Sequence, residues 1–157
     1  MTDAHRRRTA ARRPPFALDR HTLAFRYRRR LGSTTKAIDR AVRDILKNAR
    51  ITGCLVDHPQ ELEIALREAL ANAVLHGNKN DTDKKVLVRA YCDPRKGFVI
   101  AVRDEGSGFD PAKVPDPRRP DRVHLTHGRG IFLMRELMDH IEHRKGGREV
   151  VLYKKFA

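Results

Sequence analysis

Over residues 60–76 the apolar side chains Leu62, Ala65, Leu66, Ala69, Leu70 and Ala73 recur at helical spacing, and Gly77 follows as a stop. A helix with a single apolar stripe has to cover it with a second layer, so this segment constrains the architecture more than any other. The chain that follows supplies such a layer. Val86, Val88 and Ala90, then Phe98, Ile100 and Val102, recur at every second position over residues 85–92 and 97–103, with Asp93, Pro94 and Gly97 at the junction. Period-two runs on both sides of a turn-forming cluster predict a β-hairpin.

Ahead of this block, Leu23, Phe25 and Tyr27 alternate with Ala24, Arg26 and Arg28, which predicts a half-buried strand over residues 21–30. Gly32, Ser33 and Thr34 then supply a turn and an N-cap for a helix that carries Ile38, Ala41, Val42, Ile45, Leu46 and Ala49 on one face. Behind the hairpin, residues 110–128 form a polar loop holding four of the eight prolines. A short apolar helix beyond Gly130 and two closing strands at 139–144 and 148–156, around Gly146 and Gly147, complete the chain. Hairpins alternate with helices, so the predicted class is α+β: a two-layer α/β sandwich with a mostly antiparallel sheet and helices on one face.

One domain of ordinary size accounts for 157 residues, and 39% hydrophobic content suffices for one core. The formal net charge of +14 suits an acidic partner or nucleic acid, and it is concentrated at the front, where residues 1–50 hold 15 basic and 4 acidic side chains. Arg6, Arg7, Arg8, Arg12 and Arg13, followed by Pro14 and Pro15, predict a disordered Arg-rich leader over 1–20, before a folded unit over 21–157. No apolar run approaches the roughly 18 residues of a membrane span, and no secretory signal opens the chain, so a cytoplasmic protein is expected. Cys54 and Cys92 have no Cys or His at metal-ligand spacing and are expected to be buried free thiols. No carboxylate or cysteine cluster of the kind a zinc site needs accompanies the pairs His124 with His127 and His140 with His143.

Three short segments carry candidate chemistry. Glu68 and Asn72 stand four residues apart and share a helix stripe, which His76 continues. Asn72 offers an oxygen to a hard cation such as magnesium, and Glu68, one turn away, offers an acceptor for a hydroxyl proton. Asp104, Gly106 and Gly108 follow directly on a strand, where glycines let the backbone approach a ligand and Asp104 can accept from a base amine. Gly128, Arg129 and Gly130 open the last helix, whose first amides and dipole favour phosphate. Taken singly, each segment also fits a plainer role: solvated polar residues on a surface helix, a hairpin turn, a glycine-hinged helix start. Neither glycine segment follows the Walker pattern, and neither has the third glycine of a Rossmann fingerprint.

Their order is more specific than any one of them. Glu68-Ala-Leu-Ala-Asn-Ala-Val-Leu-His-Gly-Asn78, Arg103-Asp-Glu-Gly-Ser-Gly-Phe-Asp-Pro111 and Gly128-Arg-Gly-Ile-Phe-Leu-Met-Arg135 together resemble the stand-alone anti-sigma regulatory factors, serine/threonine kinases of the Bergerat-fold (GHKL) ATPase superfamily. The resemblance covers about residues 20–157 and implies ATP held between the helical layer and a lid, here residues 111–127. It makes Asn72 the magnesium ligand, Asp104 the reader of the adenine amine, and Gly106 and Gly108 the lining of that pocket. It gives Gly128, Arg129 and Gly130 to the phosphates. Glu68 becomes the base that takes a proton from a serine or threonine of a STAS-domain anti-anti-sigma partner. A sigma factor is the other implied partner, and homodimers are common among relatives. The chain departs from some relatives at Thr126-His127, where they carry a basic residue that reaches the phosphates. The length leaves no space for the extra domains of gyrase or of a complete sensor histidine kinase.

Two rival functions come from other classes: a nucleotide-binding partner switch without phosphotransfer, and a nucleic-acid-binding protein that uses the Arg-rich leader. No aromatic platform is interleaved with the leader's charge, which weighs against the second.

Overall fold

The computed structural model describes residues 19–54, 59–114, 118 and 127–156. Along the chain run β1 (Phe25–Gly32), α1 (Thr35–Ile51), α2 (Pro59–Asn72), β2 (Lys85–Asp93), β3 (Gly97–Arg103), α3 (His127–Leu137), β4 (His140–Arg144) and β5 (Glu149–Lys155). A π-helical turn, Ala73–Gly77, continues α2, and a short 3-10 turn, Pro111–Lys113, follows the loop after β3. The leader expected over 1–20 lies outside the described residues, apart from Asp19 and Arg20, and so does most of the 111–127 segment.

The sheet order is β1-β2-β3-β5-β4 and every neighbouring pair is antiparallel, so the class is the expected α+β. The helices form the second layer. Thr34 caps α1 by accepting the Ala37 N–H at 3.2 Å, and Ala41, Val42, Ile45 and Ala49 are buried as the periodicity predicts. On α2, Leu62, Leu66 and Leu70 are buried, and each such side chain contributes roughly 1.5–3 kcal/mol by leaving water. They share one core with Val86, Val88, Phe98, Ile100, Val102 and Leu152 of the sheet. The opposite sheet face holds a smaller cluster of Ala101, Val151 and Tyr153. Polar side chains lie over that face: Arg89 meets the buried Glu149 at 2.6 Å, and Arg144 reaches both Glu142 and the Tyr153 hydroxyl.

Four local expectations change. β1 begins at Phe25 instead of residue 21, because Asp19 collects the Thr22 N–H through its carbonyl and the His21 N–H through its carboxylate, closing a turn. The regular α2 helix ends at Asn72, and the turn to Gly77 is π-helical. α3 begins at His127, so Gly128, Arg129 and Gly130 belong to its first turn and do not precede it. The cysteines are not free: Cys54 and Cys92 form a disulfide with Cα atoms 6.2 Å apart. Their wide separation in sequence conceals that the chain leaving α1 returns over the far end of β2, where both residues are buried.

Candidate nucleotide site

Asn72 is the last residue of α2, and the π turn begins beside it. Such a turn closes bonds five residues apart, here from the Asn78 N–H to the Ala73 carbonyl at 2.8 Å, and so widens the helix and redirects the chain. The redirection brings Gly77 against Asp104, just beyond β3. A Cβ on Gly77 would lie 2.5 Å from Asp104 Oδ2, and one on Gly106 would lie 3.0 Å from Asp104 Oδ1 and closer still to the Gly77 carbonyl. Both glycines are required by this close approach. The Gly106 N–H donates to Asp104 Oδ1 at 2.8 Å, and the Asp104 N–H donates to the Arg148 carbonyl at 2.9 Å. Burial raises the Asp104 carboxyl above its ordinary pKa, against the Gly106 bond and the charge of Arg148.

Between α2, α3 and the sheet lies a cavity of about 130 Å³. Its walls are largely apolar (Ala69, Ala73, Val102, Ile131, Met134 and Val150), while Asn72 and Asp104 contribute polar groups. An apolar slot with a few convergent polar atoms is the usual make-up of a small-molecule site, and Asp104 supplies an acceptor suited to an exocyclic amine. Gly108, at φ +79°, lets the chain fold back so that the Phe109 N–H reaches the Gly146 carbonyl at 3.0 Å. Phe109 then meets His143 edge-on, with centroids 5.5 Å apart, and both line the cavity. Burial, with the charge of Arg135 adding to it, lowers the His143 pKa to about 4.

The proposed catalytic end is assembled across the helices. A Cβ on Gly130 would lie 2.7 Å from Glu68 Oε2, 3.2 Å from Asn72 Nδ2 and 3.3 Å from Asn72 Oδ1. Glu68 and Asn72 therefore stand together beside the first turn of α3. The structure gathers Glu68, Asn72 and Gly130 at one end, and Asp104, Gly106 and Gly108 at the other. Of the expected residues Asn72, Asp104 and Gly108 line the cavity, whereas Glu68, Gly106, Gly130 and the exposed Arg129 do not, and Gly128 lies in the same first turn of α3.

The sequence reading misses several residues that hold this geometry. Gly77 reads only as a helix stop, Gly147 only as a turn residue and His143 only as half of a histidine pair, and nothing in the sequence sets Phe109 or Arg148 beside Asp104. Asn78 is fully buried; its Nδ2 donates to Ser33 Oγ and to the Lys85 carbonyl, both at 3.0 Å, and its Oδ1 accepts the Glu105 N–H at 2.8 Å. It ties the end of the π turn to the β1–α1 turn, to β2 and to the residue after Asp104. The single cue in sequence is an amide immediately behind the helix-ending glycine.

The histidine kinase-like ATPase domain family matches residues 32–154. The anti-sigma F factor of Clostridium beijerinckii is 30% identical over 106 residues, which is 64% of this chain and 73% of that relative. That of Clostridium acetobutylicum is 34% identical over 102 residues, 62% of this chain and 70% of the relative. The serine-protein kinase RsbW of Bacillus subtilis is 35% identical over 96 residues, 57% of this chain and 59% of the relative. With its motifs converging on one apolar cavity, the chain belongs to the histidine kinase-like ATPase family and, within it, to the anti-sigma regulatory kinases.

Proposed function

We propose that the protein is an ATP- and magnesium-dependent serine/threonine kinase of the cytoplasm that acts as an anti-sigma factor and phosphorylates a STAS-domain anti-anti-sigma partner. The observation that carries this reading is the meeting of Glu68 and Asn72 with Gly130 at the start of α3. It puts a carboxylate, a carboxamide and a helix N-terminus at one point, next to a cavity of suitable chemistry. The relatives named as anti-sigma factors and as a serine-protein kinase support it.

Asp104 would accept the adenine amine, and the first amides of α3, with Gly128 and Gly130, would bind phosphate oxygens. Asn72 would hold the magnesium ion through its carboxamide oxygen, in keeping with a metal that takes one or two protein oxygens beside those of phosphate, and the ion would neutralise phosphate charge. Glu68, half-buried beside Gly130, would accept the proton of the attacking serine or threonine hydroxyl as the new phosphorus–oxygen bond forms and the bond to ADP breaks. Phosphorylation removes the STAS protein as a competitor, and unphosphorylated STAS protein displaces the sigma factor.

The test incubates the full chain with γ-labelled ATP, magnesium and a STAS-domain protein. Label on a serine or threonine is expected, and Glu68→Gln is expected to slow transfer by about 10²–10⁴-fold while nucleotide still binds. Unaltered transfer by that variant would remove Glu68 from its role. Binding of ATP by the native chain with no transfer to any STAS protein would select the partner switch that works by occupancy alone.

A further inference from the structure

β1 is an edge of the sheet: β2 pairs with one side of it, and among the described residues no strand lies along the other. An eight-residue edge presents a row of backbone N–H and C=O groups to whatever strand can reach it. The side chains around this edge are predominantly basic, with Arg30 already paired to Glu105 at 3.0 Å. A groove of about 500 Å³ between β1 and the start of α1 is lined by Arg29, Arg30, Lys36 and Arg40, with Asp44 its one acidic residue. A second groove of about 510 Å³ flanks the beginning of the strand and is lined by Arg20, Arg26, Arg28 and Arg29, with Tyr27 and Tyr91.

We propose that the outer edge of β1 is a docking strand for an extended acidic segment of a partner protein, which adds to the sheet beside it. Charge selects the occupant. Two copies of this chain paired through their β1 edges would set Arg26, Arg28, Arg29 and Arg30 against the same residues, and like charges facing each other across strands are destabilising. The Arg-rich leader is repelled in the same way. Charged side chains commonly keep sheet edges from self-association, and here the same charge admits a strand of opposite sign. A nucleic-acid backbone would answer the charge and leave the strand's alternating donors and acceptors unmatched, whereas a carboxylate-bearing peptide answers both. This docking stands apart from the nucleotide site and needs no nucleotide.

Fluorescence anisotropy on the full chain, without nucleotide, tests it. The probe is a labelled peptide of about ten residues alternating Glu and Val, long enough to match β1. Two versions N-methylated at alternate positions, offset by one residue, remove backbone donors without changing charge, and a single-stranded oligonucleotide of equal charge is the third probe. Binding of the unmodified peptide is expected, with a loss of about tenfold or more for one methylated version. Arg28→Glu with Arg40→Glu, both exposed and therefore compatible with the fold by circular dichroism, is expected to weaken it about tenfold or more. Equal affinity of all three peptides would show attraction by charge alone and overturn the docking strand. Tighter binding of the oligonucleotide than of any peptide would assign the surface to nucleic acid, and absence of binding by every probe would remove it altogether.

Discussion

Glu68 and Gly130 touch across the interface of α2 and α3, so closely that a Cβ on Gly130 would stand 2.7 Å from the Glu68 carboxylate. An alanine there has to move Glu68 or the first turn of α3. Because the nearest atom is the end of a side chain, Gly130→Ala is expected to fold, with a loss of about 1–3 kcal/mol in a urea titration. Its phosphotransfer rate and ATP affinity are expected to fall much further than its stability does. Native turnover by Gly130→Ala would show that the approach has no part in the chemistry.

Asp104 is held where its charged form is disfavoured. Its carboxyl is raised chiefly by burial, so the folded protein binds that proton more tightly than the unfolded chain does. The stabilisation this gives is complete below the unfolded pKa and is lost as pH rises through the higher folded value. Above that folded value the ionised carboxylate is therefore a cost to the protein without nucleotide. Asp104→Asn is expected to raise the melting temperature of the nucleotide-free protein near pH 7 while weakening ATP and ADP binding at least about tenfold, as loss of an acceptor dedicated to one amine should. Calorimetry showing undiminished ATP affinity would exclude Asp104 as the reader of the base.

How much of this could be read in the sequence depended on how local the cause was. The α2 stripe, the Thr34 cap and the strand alternation rest on neighbours within a few residues, and those elements appear with small changes of boundary. Glu68 and Asn72 are adjacent on one helix, so their shared stripe is visible before folding. What remained hidden is set by approaches between distant segments: Gly77 against Asp104, Gly130 against Glu68, Gly147 against Phe109, Cys54 against Cys92. The π turn belongs with these, since the extra residue at Ala73–Gly77 is held by Asn78, whose partners lie on β2, in the β1–α1 turn and beyond β3.

Asn78→Ala would leave the part-buried Glu105 N–H and Lys85 carbonyl without the partner that now satisfies them, at a side chain that is itself fully buried. A loss of about 2–4 kcal/mol is expected by urea denaturation, from several orphaned polar groups at once. Asn78→Asp is expected to be no better, because a carboxylate cannot donate to the Lys85 carbonyl. An Asn78→Ala protein as stable as the native one would mean that these bonds hold nothing together.

His143 provides a second pH signature, of opposite sign to that of Asp104. Its pKa, about 4 against an ordinary 6.5, is depressed by burial first and by Arg135 second. A depressed histidine contributes stability that is present above 6.5 and is lost as pH falls towards 4, because the unfolded chain takes up the proton first. Stability is expected to decline over that window in the native protein and more gently in His143→Asn. Parallel urea-midpoint curves for the two proteins between these pH values would contradict the assignment.

The Cys54–Cys92 bond fastens the chain behind α1 to β2 at the end of the sheet away from Asp104: Cys92 pairs with Phe98 near the start of β3, whereas Asp104 follows its last residue. The separation along β3 is roughly 20 Å at the usual rise per residue. Closing a loop of this length restricts the unfolded chain, and losing the closure is expected to cost about 2–4 kcal/mol. Dithiothreitol should therefore lower the urea midpoint of the native protein and leave that of a Cys54→Ala, Cys92→Ala double variant where it is. The distance to the cavity predicts the same ATP affinity before and after reduction, provided the protein stays folded. A urea midpoint indifferent to dithiothreitol would show that the bond does not brace the fold, and an affinity that changed with reduction would connect it to the nucleotide site after all.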